Sequence, residues 1–420
     1  MHILVIGAGI VGTMTAYELH RDGHEVTVVD AAGNVAERAS FANGGVVGAS
    51  QVEPWAAPGM PLKLLSWLGR DDAPLLVRLS QLPNLPRWGL HFLKACSAEA
   101  YRDSTIASLR LAMLSIDRLE AIASEHNIAF SRAKGAMLKI YSDAEAFRKA
   151  GRLVEGLAGA GFPAQVVSRD EAVALEPALA GAGGTLAGAV SYPRDLAGLC
   201  RDFARAIAKL LQASGVTFRL NAKVDGFRTA PGRVEAVRID GREEVYDAVV
   251  AATGSWTGGL LAPLGIRPMV IPTKGLSITV PARRWPGAIT GAIMDTSRIF
   301  GLIRLGDSLR ISGSAEITGF DDRPDPRRWR AIAANVVRLF PAMEDCLADG
   351  EPFVWAGLRP TTPDGRPVIG ATPFANLYVN TGHGPQGWTG ACGSARLLVD
   401  IIARRDPPVP PEPFALARFR

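Results

Sequence analysis

The sequence predicts an α/β fold in which a parallel sheet is joined to a second, antiparallel sheet. Its first thirty residues run through a short apolar stretch, a glycine-rich turn, a helical pattern and a second apolar stretch. Apolar stretches and helical patterns continue to alternate further on, which is typical of parallel strands joined by helices. Three later stretches, at 276–280, 299–303 and 309–313, alternate apolar and polar residues as antiparallel strands do.

The opening β-α-β unit carries the most specific motif. GAGIVG at 7–12 follows the first apolar stretch, and the second one leads directly to Asp30. Gly7 permits a tight turn, Gly9 lets a pyrophosphate approach the backbone, and Gly12 lets helix and strand pack closely. The helix N-terminus offers free N–H groups to phosphates, and Asp30 is placed to accept hydrogen bonds from a ribose. The unit predicts a dinucleotide site. A structural glycine turn or a signal peptide explains the succession of strand, glycine-rich turn, helix, strand and Asp30 less well.

Periodicity places the other elements. Strands are predicted at 2–6, 25–29, 135–141, 165–167, 216–218, 234–239, 245–250 and 377–380. Helices are predicted at 104–126, 142–161, 168–176, 195–215, 326–340 and 389–404. The strand that ends in Thr253 and Gly254 is expected to reach the dinucleotide, because open α/β sheets bind ligands at the carboxyl ends of their strands. Glycine-rich loops at 31–59 and 381–388 are further candidates for binding.

Length and charge limit the function classes. A chain of 420 residues fits two domains, and its net charge of +5 is spread over scattered arginine pairs. No basic-aromatic motif for nucleic acid is present, so an anionic substrate or an anionic membrane surface is the better match. The proline-broken stretch at 61–93 is rich in Leu and Trp, and it fits either packing in a substrate domain or contact with a membrane. No apolar run is long enough to span a bilayer.

The cysteines indicate a reducing compartment. They are widely spaced, with no CxxC pair, and lie at Cys96, Cys200, Cys346 and Cys392. A disulfide framework and a zinc site are therefore not expected, and no other metal motif is present. We expect a cytoplasmic protein, with a peripheral position at the inner face of the membrane as the alternative.

With both glycine-rich loops identified, the chain resembles bacterial FAD-dependent D-amino acid dehydrogenases of the D-amino acid oxidase and glycine oxidase superfamily. The resemblance is carried by the first thirty residues, SFANGG at 40–45, PWAAPG at 54–59 with PLK at 61–63, GLRP at 357–360 with TPDG at 362–365, and NTGHGPQGW at 380–388 with ACGS at 391–394. It implies a glutathione-reductase-type Rossmann FAD domain at 1–54, 141–264 and 355–420. An α+β substrate domain with an antiparallel sheet would be inserted at 55–140 and 265–354.

The resemblance also implies specific residue roles. Arg359 matches the arginine that clamps the substrate carboxylate beside the flavin, and His383 is the titratable candidate in the flavin loop, for catalysis or for structural hydrogen bonds. A guanidinium suits this role because it binds a planar carboxylate bidentately. The residues expected to hold non-covalent FAD are Gly7, Gly9, Ile10, Val11, Gly12, Asp30, Ala31, Ser40, Asn43, Gly44, Gly45, Val46, Val224, Thr253, Gly254, Trp256, Arg359, Gly382, His383, Gly384, Pro385, Gln386, Gly387, Trp388 and Thr389.

Some positions depart from the family pattern. Val46 stands where relatives usually carry Gln, GASQ at 48–51 replaces a typical Ser-Pro-Gly run, and Ser297 replaces a common tyrosine. We expect Gln51, Ser297 and Arg298 to face the substrate, so the substrate can differ from D-alanine. Arg298 suits a second carboxylate or a polar side chain, or else is an exposed arginine at a strand end.

The implied reaction is oxidative deamination of a D-amino acid, by hydride transfer from Cα to flavin N5. Electrons would then pass to a quinone or another non-oxygen acceptor. The alternative within the superfamily is an amine oxidase that acts on glycine, sarcosine, hydroxy-D-proline or another secondary amino acid with oxygen. A non-catalytic flavin-binding regulator is disfavoured by Arg359, and an NAD-linked reductase by the lack of a second GxGxxG.

Overall fold

Four sheets organise the part of the chain that the computed structural model describes, namely residues 1–67, 70, 73–161, 163–182, 186–285, 287–348 and 350–419. The strands are β1 (His2–Ile6), β2 (Glu25–Asp30), β3 (Val46–Val47), β4 (Leu75–Val77), β5 (Met137–Tyr141), β6 (Gln165–Val167), β7 (Gly188–Ser191), β8 (Leu196–Ala197), β9 (Thr217–Leu220), β10 (Val224–Ala230), β11 (Arg233–Ile239), β12 (Arg242–Glu244), β13 (Ala248–Ala251), β14 (Ile271–Pro281), β15 (Ala292–Asp295), β16 (Phe300–Leu305), β17 (Ser308–Ile317), β18 (Phe353–Thr361), β19 (Val368–Ala371) and β20 (Leu377–Thr381). The α-helices are α1 (Ile10–Arg21), α2 (Met60–Trp67), α3 (Pro86–Ala95), α4 (Ala98–Glu125), α5 (Ala144–Leu157), α6 (Arg169–Leu175), α7 (Cys200–Ala213), α8 (Thr257–Leu261), α9 (Pro326–Leu339), α10 (Met343–Ala348) and α11 (Gly387–Ile402).

The six-stranded sheet has the order β19-β20-β13-β1-β2-β9. Its neighbours pair in parallel except at the β19 edge, which is antiparallel to β20. Helices α1, α7 and α11 contribute the buried side chains Met14, Phe203 and Leu397 to the core that covers this sheet. Because β1, β2 and β13 run in the same direction, their carboxyl ends meet at one edge, as the Rossmann prediction requires.

The nine-stranded sheet has the order β18-β14-β17-β16-β15-β5-β7-β6, with β4 added beside β17. Strands β14, β16 and β17 are antiparallel neighbours, which confirms the antiparallel sheet predicted from their alternation. Helix α9 buries Val336 and Leu339 against Ile278 and Ile311 of this sheet. Edge strand β18 was not predicted, and it pairs with β14 in a register that sets Arg359 opposite Thr273.

Some predicted elements are shorter in the structure, for local reasons. The helix predicted at 195–215 begins at Cys200, because Leu196 and Ala197 form β8 and pair with β3. The strand predicted at 245–250 begins at Ala248, where its pairing with Ile3 of β1 begins. The loop at 31–59 also contains β3 and a short 3₁₀ turn at Ala49–Gln51.

The sheets divide the chain at positions that differ from the expected domain boundaries. Strands β6 and β7 belong to the nine-stranded sheet, although 141–264 was expected to belong to the FAD domain. Helix α4 packs against α11 and shares the core of the six-stranded sheet, although 55–140 was expected to belong to the substrate domain. We therefore propose that 137–191 belongs to the substrate domain and α4 to the FAD domain.

The Leu- and Trp-rich stretch forms α2, β4 and α3, apart from residues 68, 69, 71 and 72, which lie outside the described residues. It packs inward through Trp88 and Phe92, whose rings stack with centroids 5.3 Å apart. Its outward side exposes several leucines, including Leu62 and Leu65. No helix in the described ranges has both the length and the apolar character of a membrane span.

Candidate active site

The turn between β1 and α1 has the geometry that the motif predicts. Gly7 has a φ of 110°, and its amide donates to the Val29 carbonyl oxygen over 2.8 Å. A Cβ on Gly12 would collide with the carbonyl oxygen of Gly7, so only glycine lets the helix approach the strand this closely. The N-cap Gly9 has no side chain to occupy the first amides of α1, and the Ile10 amide donates to Ser40 Oγ over 3.1 Å.

Asp30 ends β2 beside this turn. Its Oδ2 accepts a hydrogen bond of 2.6 Å from the Ala8 amide, and its Oδ1 accepts one of 2.7 Å from the Ala32 amide. The carboxylate therefore fixes the glycine turn as well as standing where a ribose is expected. A carboxylate has further lone pairs, so these two bonds leave capacity for ligand hydroxyls.

A cavity of about 1070 Å³ extends from this turn to Arg359 and is walled by both large sheets. Gln51 lies in its wall, and so do these residues expected to bind the cofactor: Gly7, Gly9, Ile10, Val11, Asp30, Ala31, Ser40, Asn43, Gly44, Gly45, Val46, Val224, Thr253, Gly254, Trp256, Arg359, His383, Gly384, Pro385, Gly387 and Trp388. The other four, Gly12, Gly382, Gln386 and Thr389, are not among its lining residues. Two of them support its loops, since Gln386 Nε2 donates to the Gln51 carbonyl oxygen and Thr389 Oγ1 accepts from the Gly48 amide.

Arg359 presents an incompletely satisfied guanidinium to the cavity. Its Nη1 donates to the Ser314 carbonyl oxygen over 2.9 Å, and no carboxylate of the described residues lies within 4.0 Å of it. Burial lowers the pKa of Arg359 to about 10, while the negative charge of Glu316 opposes that shift. The group therefore stays protonated at neutral pH, and its remaining donors suit an anionic ligand.

A pair of facing glycines makes room for this guanidinium. Gly275 of β14 lies directly opposite Gly357 of β18. A Cβ on Gly275 would overlap with the guanidinium of Arg359, and a Cβ on Gly357 would overlap with the ring of Trp355. The two side chains therefore lie over a floor without side chains, and all four residues line the cavity. Sequence reasoning included Gly357 in the GLRP motif without giving it a role, and it missed Gly275 and Trp355; the glycine in KGL was the available signal for Gly275.

Ser297 and Arg298 were expected to face the substrate, but the structure places neither in the cavity wall. Arg298 Nη1 lies 2.7 Å from Asp295 Oδ2 and 3.1 Å from Ser142 Oγ. The amides of Ser297 and Arg298 both donate to Asp295 Oδ1 over 2.8 Å. The arginine is thus a partner of a buried carboxylate, and its expected role in binding a second carboxylate loses support.

Gln51 reaches the cavity on a turn that is held by a residue the sequence did not single out. Asp195 accepts hydrogen bonds from the amides of Ala49 and Ser50, over 2.7 and 3.0 Å. Burial raises the pKa of Asp195 to about 6, and the bonds from the turn oppose that shift. The Gln51 side chain itself lies 2.8 Å from Met294 Sδ.

His383 is enclosed by the second glycine-rich loop. Its Nε2 lies 3.0 Å from Ser394 Oγ, and its backbone bridges to Thr361. Burial lowers the pKa of His383 to about 3, so the ring is neutral near pH 7 and a weak base. This environment favours the structural alternative over a catalytic role for the side chain.

A family comparison decides the class of protein. The family model described as DAO, FAD dependent oxidoreductase, matches residues 2–401, which is nearly the whole chain. The chain belongs to the DAO family. As a member it is an FAD-dependent oxidoreductase, which agrees with the dinucleotide turn and with the expected cofactor.

Solved structures share the fold of this DAO-family chain. Glycine oxidase from Geobacillus kaustophilus is 22% identical, with a TM-score of 0.75 and coverage of 99% of this chain and 98% of that chain. L-proline dehydrogenase from P. horikoshii is 19% identical, with a TM-score of 0.75 and coverage of 100% and 97%. Iminodiacetate oxidase from Chelativorans sp. BNC1 is 23% identical, with a TM-score of 0.73 and coverage of 98% of each chain. At these identities the likeness concerns the fold.

The residues around the turn fit the FAD of the DAO family. From the position that a Cβ on Gly9 would take, the nearest described atom outside its chain neighbours is Ser40 Oγ, at 3.5 Å. The space in front of the helix N-terminus is therefore open cavity, as a pyrophosphate requires. Gly9 and Ile10 would hold the pyrophosphate, Asp30 the ribose and Val224 the adenine, while Gly384 and Pro385 would lie against the flavin.

Proposed function

We propose that this DAO-family enzyme oxidises the Cα–N bond of an amino acid whose carboxylate is bound by Arg359. The observation that carries the proposal is the Arg359 guanidinium, which projects into the FAD cavity with one hydrogen bond to a carbonyl oxygen and donors left over. A buried cation of this kind is stabilised by an anion that enters with the ligand. A carboxylate matches the planar, two-donor geometry of the group.

The residues of the chain bind and orient the substrate. FAD supplies the two-electron acceptor when it is bound. Arg359 would hold the carboxylate, and the Ser314 carbonyl oxygen would keep the guanidinium in place, so that Cα–H has a fixed direction. The substrate loses a hydride from Cα and a proton from nitrogen, and water converts the resulting imino acid to an oxo acid and ammonia. No protein base is required if the amine enters neutral, which agrees with the weak basicity of His383.

The finer parts of the proposal are a D-amino acid as substrate and a quinone or other non-oxygen acceptor. The exposed apolar side chains of the stretch at 60–95 support a membrane-borne acceptor, since this stretch also lines the cavity; they are Leu62, Leu65, Leu79, Leu82, Leu90 and Leu93. A peripheral contact with the membrane would bring a lipid-soluble quinone to the cavity.

The alternative is an amine oxidase that acts on glycine, sarcosine, hydroxy-D-proline or another secondary amino acid with oxygen. The names of two structural neighbours, glycine oxidase and iminodiacetate oxidase, favour it. The two proposals are separated by steady-state turnover with a quinone analogue against turnover with oxygen. Turnover at least tenfold faster with the quinone supports the dehydrogenase, and peroxide formed at the rate of quinone reduction supports the oxidase.

Replacing Arg359 tests the carboxylate site. Arg359→Met removes two charge-assisted hydrogen bonds, each contributing roughly 1.5–3 kcal/mol. We expect kcat/KM for an amino acid to fall by about a hundredfold to ten-thousandfold, since every 1.36 kcal/mol is about tenfold. The flavin spectrum should stay unchanged. The amine that lacks the carboxylate should lose little further activity on the substitution.

Arg330→Met is the matched control, because Arg330 is exposed on α9 and lies outside the cavity wall. It should leave kcat/KM near the wild-type value. Near-normal kcat/KM in Arg359→Met, with an amino acid as substrate, would remove the role assigned to Arg359.

A further inference from the structure

Six large apolar side chains line the cavity that contains Arg359. They come from the stretch at 55–95 and from β18, and they are Trp55, Met60, Trp67, Leu75, Phe92 and Trp355. Trp355 is on the strand of Arg359 and lies over the neighbouring Gly357. Leu75 of β4 pairs with Ala315 of β17. Ala315 directly follows Ser314, and the Ser314 carbonyl oxygen accepts the hydrogen bond from Arg359. Trp355 and Leu75 therefore lie near the position where the rest of a substrate held by Arg359 would extend, and the other four side chains line the same cavity.

The same stretch is anchored to the strand that carries Arg359. Trp88 Nε1 donates to the Thr361 carbonyl oxygen over 3.2 Å, and the Trp88 ring stacks on Phe92. Trp55 and Phe92 also line a second, smaller cavity together with Thr361 and Pro385 of the flavin loop. The apolar wall is thus built against both the carboxylate site and the expected flavin site.

The other charged side chains in the cavity wall lie near the dinucleotide turn or are paired with other protein groups. Among the residues that the structure describes, the charged ones that line it besides Arg359 are Asp30, Arg38, Lys223, Asp225 and Asp295. The first four are near the dinucleotide turn: Arg38 is two residues before Ser40, which contacts the N-terminus of α1, and Lys223 and Asp225 flank Val224.

Asp295 is the charged lining residue outside that group. Its carboxylate is occupied by the Arg298 guanidinium and by two backbone amides. A second charge on the substrate would therefore lose water beside Arg359 without gaining a partner among the described lining residues.

We infer that the substrate is an amino acid with a large, uncharged apolar side chain, of the size of leucine, methionine or phenylalanine. The inference rests on the proposed function, because it uses Arg359 as the carboxylate anchor. Apolar walls favour such side chains because burial of apolar surface releases water. Glycine would leave the wall unfilled, and acidic amino acids would place a carboxylate against it.

The test compares kcat/KM values of the FAD-loaded enzyme with a dye acceptor, using one pair of amino acids that differ in charge and one pair that differ in size. Methionine and glutamate have side chains of similar length that differ in charge, and we expect methionine to exceed glutamate at least a hundredfold. Leucine should exceed alanine at least tenfold, since one methylene in an apolar pocket changes specificity by about 10–200-fold. Each pair is measured in both enantiomeric forms.

A substitution in the wall gives an independent readout. Met60→Lys adds a cation beside the side-chain position and should raise the ratio of glutamate to methionine kcat/KM at least tenfold. Leu62→Lys is the matched control on the same helix, since Leu62 is 75% exposed and does not line the cavity. It should leave the ratio unchanged.

The outcomes separate the inference from the proposed function. A preference for glycine, alanine or glutamate, or an unchanged ratio in Met60→Lys, would overturn the apolar substrate class while amino acid oxidation stands. The wild-type comparison remains decisive even if Met60→Lys does not fold. Failure of every amino acid to reduce the enzyme would instead overturn the proposed function.

Discussion

Arg359 can lie across β14 because position 275 has no side chain. In Gly275→Ala the new Cβ would overlap with the guanidinium and force it to move. Misplacement by about 1 Å can cost a hundredfold in rate, so we expect kcat/KM for the best amino acid to fall on the order of a hundredfold. The fall should appear largely in KM, while the flavin spectrum and FAD content remain normal.

Gly156→Ala serves as the control for this substitution, because no described atom beyond its chain neighbours and its own helix backbone lies within 4 Å of the position that its Cβ would take. It should be close to wild type in KM and kcat. If Gly275→Ala keeps the wild-type KM, then the glycine floor does not position Arg359.

His383 gives a prediction for stability against pH. Burial lowers the pKa of His383 from 6.5 to about 3. Between those values the unfolded chain binds a proton that the native chain does not, so the native state loses stability as pH falls below 6.5. With about 1.36 kcal/mol per pKa unit, the loss from pH 7 to pH 5 is about 2 kcal/mol.

Urea unfolding of wild type and His383→Asn, at one fixed FAD concentration, measures this effect. The stability of wild type relative to the variant should fall between pH 7 and pH 5. A constant difference over this range would show that the native ring titrates normally.

At the scale of single residues, the sequence could predict a role for Arg359, because GLRP is a local motif that carries the resemblance to the family. It could not predict that Gly275 and Trp355 accompany Arg359, because that depends on the register of β14 against β18. The expected roles of Ser297 and Arg298 lost support for a similar reason. Asp295 lies three residues before Arg298 and binds it, which substrate reasoning overlooked.

At the scale of elements, the contact between β1 and α1 determines whether the dinucleotide turn forms. Gly12→Ala would place a Cβ against the Gly7 carbonyl oxygen. Overpacking of this kind costs about 1–3 kcal/mol, so FAD should bind roughly tenfold to a hundredfold more weakly. Titration of the apoprotein with FAD, followed by flavin fluorescence, measures the change.

Gly89→Ala is the helical control, since it adds a Cβ that meets no described atom within 4 Å apart from its chain neighbours and its own helix backbone. Its FAD affinity should match that of wild type. Unaltered FAD affinity in Gly12→Ala would contradict the close packing of helix and strand at this turn.

Local patterns identified α1, β14, β17 and α11 because each has a long, regular period. Local patterns gave the wrong secondary structure where pairing with residues distant in sequence determines whether a segment is a strand. Leu196 and Ala197 read as the start of a helix, and they form a strand because Val46 and Val47 lie beside them. The residues of β18 were predicted only to lead into the turn at 362–365, although nine of them pair with β14.

At the scale of the whole molecule, the cavity exists because the six-stranded and the nine-stranded sheets both contribute to its wall. The Rossmann half was predictable, since β1, α1 and β2 are contiguous in sequence. The assignment of β6 and β7 to the other sheet was not, because a helix precedes each of these strands, much as in a parallel sheet. Most of the apolar wall comes from a stretch for which the sequence favoured packing in a substrate domain and left membrane contact as the alternative.

Anaerobic reduction of the bound flavin by amino acids tests the central proposal most directly. The FAD-loaded enzyme is mixed, without oxygen, with D-, L- and N-substituted amino acids, and the flavin absorbance is followed with dithionite reduction as the reference. We predict bleaching by D-amino acids, most rapidly by those with large apolar side chains, and formation of the matching oxo acid. Absence of bleaching by every amino acid, in a protein that dithionite fully reduces, would contradict the proposed function.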